Sequence, residues 1–260
     1  MRIEDLDPQR SRREFEREQL DDLRTLGLDW DETPVRQSER MQLYEDALAR
    51  LNEQDRLYPC FCTRAEIRQA ASAPHGELPE GSYPGTCRAL SEAERERRRA
   101  AGRPFALRVR GHGERIEFDD RLRGRFGAVV DDFVVRRADG VPAYQLAVVV
   151  DDAAQQVGEV VRGDDLIDST PRQILLARLL GLPVPGYAHV PLVFGPDGTR
   201  LAKRSRPPAL SDRTEPPAAT LALLAHTLGL ALERDRVQRP AELLGEFDPG
   251  RLPRGPSVLA

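Results

Sequence analysis

A chain of 260 residues is long enough to bury a real core, either as one large domain or as two small ones. Charged residues make up 32% of it but the formal net charge is only −4, so no global basic field marks a nucleic-acid-binding protein, although local arginine clusters leave room for one. No apolar run is long enough to span a membrane and the N-terminus has no apolar signal core, which predicts a cytoplasmic protein.

The N-terminal part is predicted to be helical after a short start. The Asp7-Pro8 pair marks the beginning of a helix whose apolar residues keep helical spacing up to Gly27. Ser38 is the expected N-cap of a second helix, which carries an apolar face from Met41 to Leu51. A folded chain rarely begins one residue before so sharp an element, so we expect an abrupt start; a frayed terminal tail is the alternative.

The three cysteines of the chain lie close together in the sequence, at Cys60, Cys62 and Cys87. Their odd number argues against a disulfide framework, and two thiols one residue apart favour a metal site. Zinc takes four ligands in a tetrahedron, so a fourth donor is needed: by chemistry His75 is the usual choice and Tyr83 the unusual one. The alternative is three buried thiols that act as small apolar side chains.

Two capping boxes flank the loop between these cysteines. Thr63 with Glu66 predicts the start of a short helix, and Ser91 with Glu94 predicts a longer one that ends near Gly102. The longer helix carries an arginine-rich run. We interpret that run as a solvated face, with a contact to a nucleic-acid backbone as the alternative.

After the arginine-rich helix the apolar period changes to two, which is typical of strands. Residues 106–120 are predicted to form a hairpin that turns at Gly111-His112-Gly113. A second hairpin is predicted to begin with Asp132–Arg136, to turn at Asp139-Gly140 and to return from Tyr144 onward.

The central stretch of the chain places charged residues where predicted strands end. Residues 145–150 form a continuous apolar run, which suits a parallel strand covered on both faces, and the run ends at Asp151-Asp152. A second strand is predicted over residues 157–161, with Arg162 just past it, and Thr170-Pro171 begins the next helix. Open α/β sheets bind ligands at such strand ends, so this stretch predicts an α/β fold with its site here.

The C-terminal part is predicted to contain a strand over His189–Phe194, a helix over Leu221–Leu230 and a short helix over Pro240–Leu244. Between the strand and the first helix, a glycine-containing turn leads into a basic loop with Arg200 and Lys203. Such a loop can neutralise phosphates, because catalysis of adenylyl transfer is mostly positioning and charge stabilisation. A solvated basic turn is the alternative.

Three further side chains have the chemistry to hold an amino acid. Arg162 can bind a carboxylate through both arms of its guanidinium, Tyr144 can add a hydroxyl, and Glu4 can hold an ammonium group. Each also has an ordinary alternative: a surface ion pair for Arg162, an aromatic core position for Tyr144, and an acidic helix start for Glu4.

Taken together, these residues resemble a known family, the glutamyl-Q tRNA(Asp) synthetases. Members are paralogues of the class I glutamyl-tRNA synthetase core that lack the anticodon-binding domains. The strings that carry the resemblance cover nearly the whole chain in the family's order: Arg2-Ile-Glu-Asp-Leu-Asp-Pro8, Gly27-Leu-Asp-Trp30, Cys60-x-Cys62, Tyr83-x-x-x-Cys87, Asp131-Asp-Phe-Val134, Ala143-Tyr-Gln-Leu-Ala-Val-Val-Val-Asp-Asp152, Arg162-Gly-Asp-Asp-Leu166 and Thr170-Pro-Arg-Gln173.

The fold that the resemblance implies is an α/β class I aminoacyl-tRNA synthetase fold. It has a Rossmann-like core, here shortened at its N-terminus, a small zinc-binding insertion and a helical C-terminal part. The implied domains are the remainder of the first half of the core at residues 1–58, the zinc-binding insertion at 59–104, the second half of the core with the hairpins and the glutamate site at 105–195, and the KMSKS-type loop with the helical C-terminal part at 196–260.

The activity that the resemblance implies is that of a ligase with two steps. ATP, with Mg²⁺, and glutamate give glutamyl-adenylate and pyrophosphate. The glutamyl group then passes to the cyclopentene-diol of queuosine, the modified wobble base of tRNA(Asp). The implied partners are therefore glutamate, ATP and queuosine-containing tRNA(Asp), and we expect a monomer without membrane association.

The site residues carry over from the family one position at a time. Glu4, Tyr144 and Arg162 match glutamate-binding positions. Lys203 matches the catalytic lysine that contacts ATP, and Arg200 is a second ATP-binding position. The resemblance also implies one structural Zn²⁺ per chain, with Tyr83 rather than His75 as the fourth ligand, so that the ligand set is Cys60, Cys62, Tyr83 and Cys87.

Two departures from the family pattern bear on activity. The family carries a first strand and an HIGH-type loop and helix upstream of its counterpart to the Arg2–Pro8 string. We expect this chain to be short at its N-terminus, and as written to activate glutamate weakly or not at all. The KMSKS-type loop is also altered: Arg200 replaces its first lysine and keeps the charge, Ala202 replaces its serine, and the second lysine is Lys203.

Two other interpretations stay open. One is a fragment of a glutamyl-tRNA synthetase that charges tRNA(Glu); such an enzyme needs a helical anticodon-binding region after the KMSKS-type loop, where this chain has only a short, proline-rich part. The other is an inactive remnant that binds tRNA or zinc. It predicts retention of tRNA without glutamate-dependent turnover of ATP.

Overall fold

The computed structural model describes residues 1–8, 11–63, 65–67, 83–195, 198, 210, 215–230 and 238–258. They belong to two compact units. The first comprises Met1–Ser38, Arg162–Asp165 and His189–Ala260, and the second comprises Glu39–Val161 and Leu166–Ala188. Both helices and strands, including parallel pairs, occur along the chain, which confirms the predicted α/β class.

The described elements are as follows in chain order. The helices are α1 (Arg13–Thr25), α2 (Met41–Glu53), α3 (Glu92–Ala100), α4 (Tyr144–Ala154), α5 (Thr170–Leu180) and α6 (Pro217–Thr227). Short 3₁₀ helices lie at Gln37–Glu39, Asp164–Ser169, Pro240–Leu243 and Pro249–Arg251. The strands are β1 (Arg2–Ile3), β2 (Val35–Arg36), β3 (Leu57–Cys60), β4 (Ala106–Val109), β5 (Arg115–Asp120), β6 (Gly124–Val129), β7 (Phe133–Arg136), β8 (Glu159–Gly163), β9 (Gly186–Val190), β10 (Val193–Phe194) and β11 (Ser257–Val258).

In the first unit, β1 pairs in parallel with β2 and β10 pairs in parallel with β11. Ser38, which we expected to cap the second helix, has another role. Its backbone N–H and its hydroxyl donate to the carboxylate of Asp5, at 2.8 and 2.6 Å. Helix α2 therefore begins at Met41, after an Arg40 N-cap without a side-chain hydrogen bond.

Helix α1 begins later than predicted. Its first residue is Arg13 rather than one next to Asp7-Pro8, and ahead of it the Ser11 N–H donates to the Asp7 carbonyl at 3.0 Å. It ends just before Gly27 as predicted, because the φ of +73° at Gly27 takes the backbone out of the helical range at a position that glycine tolerates.

A charge-assisted contact joins α1 to β2. The guanidinium of Arg36 donates to both carboxylate oxygens of Glu16, from Nε to Oε2 at 3.2 Å and from Nη2 to Oε1. Both side chains are mostly buried, with 23% of Arg36 and 13% of Glu16 exposed. The hydrogen bonds from Arg36 hold the pKa of Glu16 below its ordinary value.

We expect Glu16→Gln to lower the free energy of unfolding by about 1 kcal/mol at neutral pH, because it removes this charge-assisted contact. The deficit should shrink as the pH falls below the ordinary glutamate value of 4.5, since protonation of Glu16 then removes the same contact from the unsubstituted protein. Urea unfolding at neutral and acid pH measures both effects. Glu18→Gln, on an exposed position of the same helix, is the control. A deficit that does not change with pH would contradict the assignment.

The second unit contains two sheets. Strands β3, β4 and β7 form an antiparallel sheet in the order β3-β4-β7. Strands β6, β5, β9 and β8 form the other sheet in that order, and β8 and β9 begin in this unit and end in the first. Helix α4 packs against α2, α5 and β7.

The apolar run over residues 145–150 is part of helix α4, so its prediction as a strand was wrong. Leu146 to Val150 are all buried, because neighbouring elements cover the helix on several sides. A helix buried in this way shows no polar stripe in its sequence. The strand predicted next forms with shifted bounds: β8 covers Glu159–Gly163, so Arg162 lies inside the strand rather than just past it. Helix α5 begins at Thr170 as predicted.

The hairpin predicted over residues 106–120 was wrong in its pairing. The two strands exist, but β4 pairs with β3 and β7, and β5 pairs with β6 and β9. Gly111-His112-Gly113 therefore connects two sheets. Gly111 is needed there for space, because a Cβ atom would lie 2.5 Å from the carbonyl oxygens of Val130 and Asp131.

The second predicted hairpin is half correct. Its turn forms, with the Arg137 N–H donating to the Val141 carbonyl at 2.8 Å and Gly140 at a φ of +88°. The return segment makes only an isolated bridge between Arg136 and Pro142 before α4 begins. The turn could be predicted from the sequence, whereas the helix α4 that follows it could not.

The capping box at Thr63 forms in full, and Ser91 caps α3 with its side chain as predicted. The Thr63 N–H donates to Glu66 Oε2 at 2.6 Å and the Glu66 N–H donates to Thr63 Oγ1 at 3.2 Å. Ser91 Oγ accepts the Glu94 N–H at 3.3 Å at the start of α3. The arginines of α3 pair with glutamates on the same helix, as expected of a solvated face.

The C-terminal elements are shifted from their predicted bounds. The strand expected over His189–Phe194 is split into β9 and β10, the helix expected over Leu221–Leu230 is α6, and the short helix expected over Pro240–Leu244 is a 3₁₀ helix. No helix in the described part of the chain has the length and apolar character needed to cross a membrane.

Candidate metal centre and substrate-binding residues

The three cysteines come together at the end of β3. Cys60 is the last residue of that strand, Cys62 precedes the capping box at Thr63, and Cys87 lies in a turn before α3. Their sulfur atoms all lie within 4.8 Å of one another, and those of Cys62 and Cys87 are 3.4 Å apart. Cys60 and Cys87 are buried in one apolar cluster with Phe61.

The hydroxyl of Tyr83 points into the same cluster. It lies 3.4 Å from the sulfur of Cys60 and 3.7 Å from that of Cys62. The backbone N–H of Cys87 donates to it at 2.8 Å, which fixes its position. Tyr83 is only 4% exposed, so this oxygen is held away from solvent.

The spacing of these four atoms fits a tetrahedral zinc ion. Zn–S bonds of about 2.3 Å and a Zn–O bond of about 2.0 Å hold ligand atoms about 3.5 to 3.8 Å apart. The distances from Cys62 to Cys87 and from Tyr83 to Cys60 and Cys62 are 3.4 to 3.7 Å. When bound, zinc would supply a structural cross-link. The ligand set remains a prediction, and His75 lies outside the described residues.

Hydrogen bonding gives the thiols of Cys60 and Cys87 different pKa values. A hydrogen bond from Cys60 lowers the pKa of Cys87 to about 6 against the effect of burial, with help from the Phe61 N–H. The same hydrogen bond, together with burial, raises the pKa of Cys60 to about 12, while the cation of Arg108 acts in the opposite direction. At neutral pH Cys87, rather than Cys60, is therefore prepared to meet a cation as thiolate.

Asp131 anchors the tyrosine of this cluster. Its carboxylate accepts the backbone N–H of Tyr83 at 3.2 Å and Nε of Arg172, on α5, at 2.7 Å. Asp131 is 7% exposed, so both contacts are shielded from solvent. The cysteine cluster is thereby connected to the helix that follows β8 in the chain.

Asp132 anchors the strand that leads to Cys60. Its carboxylate accepts the Tyr58 hydroxyl at 2.7 Å, the Gly111 N–H at 2.8 Å and Nη1 of Arg88 at 3.3 Å. The roles of both aspartates were missed in the sequence. The available signal was two consecutive acids directly before an apolar strand, where a buried carboxylate needs several donors.

Glu4 directly follows β1, with 46% of its side chain exposed. Nη2 of Arg2 donates to its Oε1 at 3.2 Å. Glu4 and Arg2 line a cavity of about 260 Å³, together with Arg12, Phe15 and Leu23. Carboxylates, guanidinium groups and apolar side chains thus share this cavity, which is a mixture that suits a small zwitterion.

Tyr144 is the first residue of α4 and is 42% exposed, so its alternative role in the aromatic core is wrong. Its neighbour Gln145 donates to Ser169 Oγ at 3.1 Å and accepts from Gln173 Nε2 at 2.9 Å. This amide chain fixes the start of α4 against α5. Tyr144 is consequently presented on a rigid element.

Arg162 lies in β8 and contacts a buried histidine. Its Nε donates to Nε2 of His189 at 3.1 Å, and His189 is 0% exposed. Because Nε2 accepts this hydrogen bond, His189 is assigned as the neutral imidazole with its proton on Nδ1. The contact limits the orientation of the guanidinium. His189 was missed in the sequence, where it stands out only as a histidine within an apolar strand.

The remaining predicted site residues are not described. Lys203 and Arg200, expected to contact ATP, lie outside the described residues. Glu4 and Arg162 belong to the first unit and Tyr144 to the second. The roles predicted for these five residues stay predictions.

The chain matches a protein-family model described as tRNA synthetases class I (E and Q), catalytic domain, over residues 1–236. Among the similar curated proteins is the glutamyl-Q tRNA(Asp) synthetase of Nocardia farcinica, 56% identical over 100% of this chain and 81% of its own length. The protein of the same name from Symbiobacterium thermophilum is 51% identical over 98% of this chain and 84% of its own.

A glutamate–tRNA ligase of Coprothermobacter proteolyticus is 39% identical over 99% of this chain but only 57% of its own length. Among solved structures, the glutamate tRNA ligase of Elizabethkingia meningosepticum in complex with its amino acid matches with a TM-score of 0.78 at 24% identity. The match covers 100% of this chain and 60% of that structure, and at this identity it bears on the fold alone.

Proposed function

This chain belongs to the class I tRNA synthetases of the glutamate and glutamine type, and from that membership we propose that it activates glutamate with ATP and transfers the glutamyl group to queuosine in tRNA(Asp). The observation that carries the proposal is the 56% identity to a glutamyl-Q tRNA(Asp) synthetase over the whole chain and 81% of that relative.

The first step joins glutamate to the nucleotide. A glutamate carboxylate attacks the α-phosphorus of ATP, a mixed anhydride forms, and pyrophosphate leaves, with Mg²⁺ on the phosphates. We assign Glu4 to the ammonium group of glutamate, and Tyr144 and Arg162 to its oxygens. Lys203 and Arg200 are assigned to the charge that develops on the phosphates.

The described contacts of Arg162 support its assignment. A guanidinium that binds a carboxylate through two parallel hydrogen bonds must be held in one plane, and the 3.1 Å contact from Arg162 Nε to His189 Nε2 restrains that plane. The exposed position of Tyr144, at the rigid start of α4, leaves its ring accessible to a ligand. Both observations are consistent with binding sites on fixed elements.

The second step moves the glutamyl group from AMP to the tRNA. A hydroxyl of the cyclopentene-diol attacks the acyl carbon, its proton leaves, and AMP departs with the electron pair of the broken anhydride bond. This acceptor is a modified base in the anticodon loop. The acceptor distinguishes the proposed reaction from the charging of a 3′-terminal adenosine.

Two assays test the proposal together. Any exchange of pyrophosphate into ATP should depend on glutamate and should not be supported by glutamine or aspartate. Labelled glutamate should then pass to tRNA(Asp) that contains queuosine, and neither to tRNA(Asp) without queuosine nor to tRNA(Glu). Preferential labelling of tRNA(Glu) would instead support the glutamate–tRNA ligase interpretation, which the relative from C. proteolyticus represents. Binding of tRNA without glutamate-dependent exchange would support the inactive remnant.

A further inference from the structure

Arg108 is a buried cation beside the cysteine cluster. It lies in β4 and is 7% exposed. Its Cζ atom stands 3.8 Å from the centroid of the Tyr83 ring, the ring whose hydroxyl contacts the sulfurs of Cys60 and Cys62. A guanidinium stacked at this distance on a shielded ring makes a cation–π contact. The positive charge therefore stands against the Tyr83 ring, and it is close enough to Cys60 to lower the pKa of that thiol.

The hydrogen bonds of Arg108 do not neutralise its charge. Its Nη1 donates to the backbone carbonyl of Asp132 at 2.8 Å, and its buried Nε has no hydrogen-bond partner. Within the described part of the chain, Arg108 forms no ion pair with a carboxylate. A buried charge is expensive unless an opposite charge lies nearby. No carboxylate meets this requirement for Arg108 in the described part of the chain, so the opposite charge has to come from the cysteine cluster.

With a zinc ion bound, the cluster would carry a fixed negative charge. A thiol that coordinates zinc is deprotonated, so three thiolates and one Zn²⁺ carry a net charge of −1 before the oxygen of Tyr83 is counted. This negative centre would be buried with Cys60 and Cys87. We propose that Arg108 is the counter-cation of the metal centre and that each of the two buried charges offsets the desolvation of the other.

Other cations near the cluster fit this role less well. Arg88 is 47% exposed and its guanidinium is used by Asp132. Arg98 stands 5.7 Å from the Phe61 ring and is paired with Glu94 at 2.9 Å. Among the described arginines around the cluster, Arg108 thus combines burial with the lack of a carboxylate partner.

The inference concerns the metal centre and does not depend on glutamyl transfer. It predicts that the affinity for zinc falls when the charge of Arg108 is removed. Neighbours that orient or compensate metal ligands typically change metal affinity about 10- to 100-fold. Arg108→Met, in the full chain, should lower the zinc affinity by about that factor, whereas Arg108→Lys, which keeps the charge, should lower it less than about fivefold.

The matched control is Arg110→Met. Arg110 lies just past the end of the same strand and also stacks on a tyrosine, at 5.1 Å from the ring centroid of Tyr58. The Arg110→Met substitution also removes one positive charge and a contact between a guanidinium and a tyrosine ring, but it leaves the contact between Arg108 and Tyr83 in place. The zinc affinity, measured by competition with a chromophoric chelator, should change less than about threefold in Arg110→Met.

A change in the charge of one zinc ligand distinguishes charge compensation by Arg108 from its packing contacts. Cys62→His replaces a thiolate by a neutral ligand and makes the centre less negative by one charge. In that background Arg108→Met should cost less than about threefold in zinc affinity. If Arg108→Met alone prevents folding, the added Cys62→His should restore a folded, zinc-binding chain. An equal loss in both backgrounds, an equal loss in Arg110→Met, failure of that rescue, or absence of zinc binding by the unsubstituted chain would each overturn the proposal.

Discussion

Arg162→Met should weaken the binding of a non-hydrolysable glutamyl-adenylate analogue by about 10²- to 10³-fold relative to the unsubstituted chain. The physical reason is that a carboxylate of glutamate loses a cationic partner in a partly buried position. The contact between Arg162 Nε and His189 Nε2, at 3.1 Å, makes this cation directional. Titration calorimetry measures the affinity without requiring turnover.

Variants on two other positions make this first prediction specific. Arg178→Met removes an exposed arginine from the last turn of α5 and should leave the affinity unchanged. His189→Gln keeps an acceptor for Arg162 Nε and should weaken binding less than His189→Leu, with thermal unfolding as the check on folding. The assignment of Arg162 is wrong if Arg162→Met and Arg178→Met bind the analogue equally well.

Loss of zinc should unfold the lobe that holds the cysteines. We expect one zinc ion per chain, and we expect Cys87→Ser to abolish it and to destabilise the protein by at least about 3 kcal/mol. The reason is that the sulfur of Cys87 is buried within 4.8 Å of the other two thiols, where it would complete the cross-link between β3 and the turn before α3. Elemental analysis gives the metal content and denaturant unfolding gives the stability.

Chelation provides an independent control for the zinc prediction. A strong chelator should lower the thermal unfolding midpoint of the unsubstituted chain, and added zinc but not added magnesium should restore it. Residues 59–104 should become the part most rapidly cleaved by a protease. Metal-free protein with an unchanged unfolding midpoint would mean that the three cysteines are ordinary apolar side chains.

Features whose causes are local could be predicted from the sequence. The capping boxes at Thr63 and Ser91, the turn before Gly140 and the end of α1 before Gly27 all depend on side chains or φ angles within a few residues. The closeness of Cys60 and Cys62 follows from their spacing, and the chemistry of thiols indicated that Cys87 would join them.

Features that depend on burial could not be predicted in this way. Residues 145–150 read as a covered strand because a short apolar run is the same for a buried strand and a buried helix. The exposed Tyr144, immediately before the run, is the first residue of that helix rather than part of a returning strand. Only the packing of α4 against α2, α5 and β7 decides between the two.

Strand pairing and hydrogen bonds between residues far apart in the sequence could not be predicted either. Gly111-His112-Gly113 has turn chemistry, yet it joins two sheets because β4 already pairs with β3 and β7. Asp131 reaches Arg172 across 41 positions, and Asp132 reaches Tyr58 across 74. No local pattern specifies such partners, so the anchoring of the cysteine cluster is known only from the structure.

The most direct test of the proposed function is to locate the glutamyl group on the product. Queuosine-containing tRNA(Asp) is incubated with the chain, ATP and labelled glutamate and is then digested with nuclease. The nucleosides are separated and identified by mass spectrometry. We expect a glutamyl group on queuosine and none on the 3′-terminal adenosine. Label on the terminal adenosine, with queuosine unchanged, would contradict it.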